Sequence, residues 1–196
     1  MEKQDFSRFH PMRRLGDAVD RGARAAQQGL RGAARSTDTY LRGRALTQGE
    51  LGMIRWMFGR VPGVERARIF PLNFWWPYPN DRAMTPNGNI YFPNQDFRDD
   101  FSLPTVPIEL RAVFMHEATH LYQHYRLGMW LMLKGPFDRN YGYRLEKGKA
   151  LRGYGIEQMG QIVQDLQDYY ALRNGGRPRL RGVRPDDYAD AVPVRR

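Results

Sequence analysis

Apolar residues recur at helical spacing in three stretches of the chain, and the pattern between them is short and broken. In the first stretch, Leu51, Ile54, Met57 and Phe58 follow Thr47 and Glu50. A threonine with a glutamate three residues later is a capping box, so a helix is expected to start there and to stop near Gly59. The second stretch predicts a long helix from Pro107 to Leu127, with Pro107 suited to a first turn and Gly128 to the stop. The third predicts a helix over Gly155–Leu172, with Ile156, Met159, Val163, Leu166 and Tyr170 on its apolar side. Its other side carries Glu157, Gln161, Gln164, Asp165 and Asp168, a polar stripe whose far end reads as a solvated face.

The intervals read differently. Val64 to Phe70 alternates as a strand does, and Asn87-Gly88 signals a turn before a short strand, Ile90–Phe92; an edge along Asn89–Phe92 could pair with an extended peptide. Residues 71–82, PLNFWWPYPNDR, read as aromatic packing under a rigid loop. Residues 1–45 have helically spaced Leu15, Val19, Ala23, Ala26 and Leu30, interrupted by Gly16, Gly22, Gly29 and Gly32. The expected organisation is a basic Gly/Ala/Arg-rich arm at 1–45, one α+β domain at 46–172, mainly helical with a small sheet, and a basic tail at 173–196.

Charge supports that division. The net charge is +10, of which residues 1–45 carry +5 and residues 171–196 carry +4. A nearly neutral middle argues against a nucleic-acid stripe on the folded surface, so no specific nucleic acid is expected. The first residues, MEKQDFSRFHPMRR, lack the apolar run of a signal peptide, and the longest apolar run, Leu127–Leu133, is too short for a membrane span. The expectation is a soluble protein, cytoplasmic in the producing cell. With 10 Phe, 11 Tyr and 4 Trp the chain can build a core, and with no cysteine any zinc site must use histidine and carboxylate.

Such residues sit together in VFMHEATHLYQHY, residues 113–125. His116-Glu117-Ala118-Thr119-His120 fits H-E-x-x-H, a pattern that this composition produces by chance on the order of a few times in a thousand. Residues four apart share a helix face, so both imidazoles reach one ion, while Glu117 lies close enough to act as a base. A catalytic zinc needs a third protein ligand and an open position for water. His124 is eight residues from His116, about 12 Å along a helix, too far for bonds of about 2 Å. Glu157, at the start of the last helix, is the preferred third ligand, with Glu146, Asp138 and Asp165 as alternatives. Tyr154 is the candidate donor to an oxyanion, with Tyr141 and Tyr143 behind it.

HEATH, the upstream MTPNGNIYF and the downstream GYGIEQMGQIVQDLQDYY together resemble the zincin domains of type VI secretion effectors, over roughly residues 45–171. These include metallopeptidase extensions of VgrG spike proteins and stand-alone Vgr-related or Rhs-associated proteins. The resemblance implies a zincin-like fold, one Zn2+ per chain on His116, His120 and Glu157, and Glu117 as general base. A more distant similarity to the catalytic domain of anthrax lethal factor, where a tyrosine precedes the ligand glutamate, adds support for Tyr154. In thermolysin-like relatives an aspartate four residues after the ligand glutamate orients a histidine, and Gln161 occupies that place here. The implied function is a zinc metallopeptidase effector or toxin acting on a peptide or protein substrate and exported through a type VI system. A VgrG-like spike or an immunity protein would be its partner. The alternative is a weakly active or inactive zincin-fold protein that docks to a secretion apparatus through its basic termini. A third reading is a binder of nucleic acid or membrane surfaces through those same ends.

Overall fold

The computed structural model describes residues 37–74, 81–128, 140–172 and 185–192. Most of the expected arm and tail, Trp75, Trp76 and Asp138 lie outside these residues. The described chain runs α1 (Thr37–Arg42), β1 (Arg44–Ala45), α2 (Gln48–Phe58), β2 (Arg68–Phe70), β3 (Ile90–Tyr91), α3 (Ile108–Leu127) and α4 (Ile156–Leu172). Short 3-10 turns cover Val64–Arg66, Leu151–Gly153 and Pro185–Tyr188. The architecture is α+β, with long helices beside a sheet of order β1-β2-β3.

Regular structure starts ahead of the boundary expected at Leu46. β1 pairs antiparallel with β2, and the Arg44 guanidinium donates to both oxygens of the buried Glu50 at 2.8 and 2.6 Å. Glu50 also accepts from the Thr47 and Phe101 backbone N–H groups, and the Thr47 hydroxyl accepts from the Glu50 N–H. The capping box at the start of α2 thus doubles as an anchor for the loop leading to α3.

The strand expected over 64–70 is only half a strand. Gly63, at φ 89°, turns the chain, and the Ala67 N–H donates to the Val64 carbonyl at 3.0 Å, closing a 3-10 turn. Val64 and Ala67 are buried three residues apart, as that turn requires, and two-residue alternation takes over with Ile69. β3 runs parallel to β2, and the Phe92 N–H extends the ladder to the Phe70 carbonyl. Its far side is not a free edge at Tyr91, because Met84 exchanges both backbone hydrogen bonds with it, at 3.0 and 2.8 Å.

The core lies between the sheet and α3, where Phe92, Phe101 and Phe114 stack in series at 4.5 and 5.2 Å between centroids. α3 buries nearly every position from Leu110 to Leu121 and packs along α4 through Met115, Ala118, Met159, Ile162 and Leu166. Pro107 and the left-handed Gly128, at φ 65°, bound α3 as the sequence suggests. Residues 185–192 drape over the start of α4: Tyr188, Ala191 and Val192 are buried, and Leu151 N–H donates to the Ala191 carbonyl.

Candidate metal centre

His116 and His120 point from one face of α3 towards the first turn of α4, which carries Glu157. His116 Nε2 lies 3.3 Å and His120 Nε2 3.6 Å from Glu157 Oε2, and the three ligand atoms fall within 4.8 Å of one another. The outward nitrogens are held separately. His116 Nδ1 meets Gln164 Oε1 at 3.1 Å, and His120 Nδ1 meets Gln123 Oε1 at 2.8 Å. Gln123 Nε2 donates to the Ile156 carbonyl and to Met159 Sδ, so its oxygen is the atom turned to His120. An amide oxygen only accepts, hence His120 Nδ1 carries hydrogen and its Nε2 is the nitrogen turned to Glu157. Two imidazole nitrogens and a carboxylate oxygen that converge in this way form a set that fits a metal ion.

The metal-free electrostatics carry the same signature. Burial raises the Glu157 carboxyl, but the His120 charge and hydrogen bonds from both histidines overcome it and hold Glu157 well below the usual carboxylate range. Burial lowers His120, and the Glu157 charge and hydrogen bond reverse this, lifting it to about 9. Glu117 is 2% exposed, and burial pushes its carboxyl up against the opposing pull of His120, His116 and a hydrogen bond from Thr85.

The histidine pair and Glu157 are therefore brought together, and the other candidates among the described residues are not. Glu146 pairs with Lys149 at 2.7 Å, and Asp165 accepts from the Tyr143 hydroxyl at 2.6 Å and from Gln161 at 2.7 Å. His124 packs against the turn at Gly88, where a Cβ would come 2.5 Å from its ring, and against the Tyr125 ring. The polar stripe of α4 is not solvated at its near end, since Gln161 and Gln164 are buried and Gln164, not Gln161, holds His116.

Tyr154 is buried, accepts from the Glu146 N–H at 3.0 Å and lies under Lys149, so it braces the loop before α4. Tyr141 is the tyrosine at the centre: its ring is 6.2 Å from that of His116, and the Glu157 charge acts on its hydroxyl. Burial, then the charges of Glu157 and Glu117, push its phenol far above the usual value, so it stays a donor. The loop is pinned at Gly142 and Tyr143. Gln158 donates to the Gly142 carbonyl at 2.6 Å while accepting the Gly155 N–H, and Tyr143 reaches Asp165. Thr85, Gln123 and Gly160 were not singled out from sequence; Gly160 alone carried a signal, as a glycine in a helix interior.

No family model matches the chain. It is similar to the type VI secretion system spike protein VgrG2b of Pseudomonas aeruginosa, 35% identical over 142 residues, which are 67% of this chain and 13% of that protein. Among solved structures it is similar to the effector domain of Pseudomonas aeruginosa VgrG2b, at 34% identity and a TM-score of 0.56, covering 68% of this chain and 76% of that one. The chain belongs to the family of the VgrG2b effector domain.

Proposed function

We propose that this domain is a zinc metallopeptidase of zincin-like fold, working as a type VI secretion effector on a peptide or protein substrate. The observation that carries the reading is the convergence of His116, His120 and Glu157 beside the buried Glu117. One zinc ion per chain, held by those three residues, would supply a Lewis acid that acidifies water and polarises a carbonyl. Glu117 accepts the proton of the attacking water on a carboxylate oxygen and delivers it to the departing amine nitrogen. Its burial favours the protonated form, which helps it hold that proton between the two transfers. Tyr141, rather than Tyr154, donates its hydroxyl hydrogen to the oxygen that gains charge, because it is the tyrosine that stands at Glu157. Gln123 keeps His120 in the tautomer this chemistry uses, and Gln164 holds the His116 ring in place.

Export and partners follow from the relative, a spike protein by name. We take a VgrG-like spike as the delivery partner. No helix among the described residues is long and apolar enough to cross a membrane. The test is expression in bacteria, directed to the cytoplasm or the periplasm, of the wild type and of Glu117→Ala. Growth inhibition should require Glu117, while both proteins bind about one zinc per chain and His116→Ala binds none. Equal effects of wild type and Glu117→Ala would overturn the peptidase reading and favour a metal-bound docking scaffold.

A further inference from the structure

The segment Met84-Thr-Pro-Asn-Gly-Asn-Ile-Tyr91 is built like a bracket against α3. Met84 and Tyr91 close its base with two backbone hydrogen bonds. Its Asn87-Gly88 tip is fastened to the last turns of α3, where the Tyr125 hydroxyl donates to the Gly88 carbonyl at 3.2 Å and the His124 ring fills the space a side chain at 88 would need. Between these anchors sits Thr85, 4% exposed. Pro86 restricts Thr85 to extended backbone, and its branched side chain is stiff at χ1, so its hydroxyl has a fixed aim.

That aim is Glu117. Thr85 Oγ1 donates to Glu117 Oε2 at 2.8 Å and lies 3.3 Å from the Glu117 main-chain oxygen. A hydroxyl has one hydrogen, and the shorter contact takes it. Among the described residues no other hydrogen bond reaches the Glu117 carboxylate. That hydrogen bond selects among the orientations open to a glutamate side chain with three torsions.

We infer that Thr85 is a positioning residue for the base: it fixes one oxygen of Glu117 so that the other faces the reacting centre. This rests on the reading of Glu117 as the proton acceptor. Thr85 touches none of His116, His120 or Glu157 by any recorded hydrogen bond, so its effect should fall on proton transfer and leave metal binding alone.

The experiment compares the zinc-loaded full chain as wild type, Thr85→Val and Thr85→Ser, with Thr85→Ala replacing the valine variant if that one does not fold. Crystal structures read the orientation of the Glu117 carboxylate, and labelled denatured casein serves as the turnover probe. Thr85→Val should show a displaced or divided carboxylate and a kcat lowered about 10- to 100-fold, with KM and zinc affinity unchanged; Thr85→Ser should restore both. An unmoved carboxylate in Thr85→Val, or an unchanged kcat, overturns the inference. If the wild type cleaves no casein, the peptidase reading loses its support, and the carboxylate orientation still decides the role of Thr85.

Discussion

The ring of His116 lies directly on Gly160: a Cβ built at 160 would come 2.6 Å from His116 Nε2 and 2.7 Å from Cε1. Both are closer than van der Waals contact permits, and the ring has little room to give because Gln164 holds its other nitrogen. Gly160→Ala should therefore turn His116 out of line, although alanine gains about 1 kcal/mol of helix propensity over glycine. The expected result is a fold that survives with zinc affinity lowered at least about tenfold, read by competition with a chromogenic chelator. Unchanged affinity would mean that the ring can shift without leaving the ligand set.

The His120–Glu157 pair makes the metal-free protein sensitive to pH in both directions. His120 is raised from 6.5 to about 9, so its stabilising contribution is complete below 6.5 and fades as pH climbs towards 9. Glu157 is lowered from 4.5, so its contribution is present above 4.5 and fades as pH drops through its depressed value. Urea midpoints of the metal-free chain should peak between about pH 4.5 and 6.5 from this pair. A metal must also displace the His120 proton, so apparent affinity should rise about tenfold per pH unit up to about 9, measurable as proton uptake by the buffer in calorimetry. A flat affinity profile would show that His120 is not the competing proton site.

What the sequence disclosed is what local geometry determines. His116 and His120 share a face because a helix repeats every turn, and the boundaries of α3 and the capping box of α2 rest on residues within four positions of one another. Glu157 was visible because a carboxylate opens the only other long amphipathic stretch. Thr85, Gln123 and Gln164 contribute through contacts that span 32 to 48 residues, and no periodicity encodes which side chains meet there. The mistaken strand at 64–66 has a related origin: buried Val64 and exposed Glu65 fit both a strand and a 3-10 turn, and Gly63 decides between them through its positive φ.

Gln123 joins the two helices at the centre. It is fully buried, its oxygen holds His120 and its nitrogen donates to the Ile156 carbonyl at 3.0 Å, one residue from Glu157. Gln123→Ala leaves the buried His120 Nδ1 without the Gln123 oxygen and removes a donor to the Ile156 carbonyl, a loss of about 1–3 kcal/mol. Chemical denaturation should report destabilisation within that range, and zinc affinity should fall about 10- to 100-fold. Loss of stability with full zinc affinity would separate the bracing of α4 from the orientation of His120.

The two tyrosines give the sharpest division between chemistry and scaffold. Tyr141→Phe removes a hydroxyl at Glu157 without touching the pinning of Gly142 by Gln158, so zinc content and thermal midpoint should hold while kcat drops by about 10- to 1,000-fold. Tyr154→Phe removes the acceptor for the Glu146 N–H, a hydrogen bond worth about 1 kcal/mol, and should lower stability slightly with kcat close to wild type. Both variants are measured on the same labelled casein at saturating zinc. The reverse ranking, with Tyr154→Phe slow and Tyr141→Phe fast, would return the oxyanion role to Tyr154 and make Tyr141 a lid over the His116 ring.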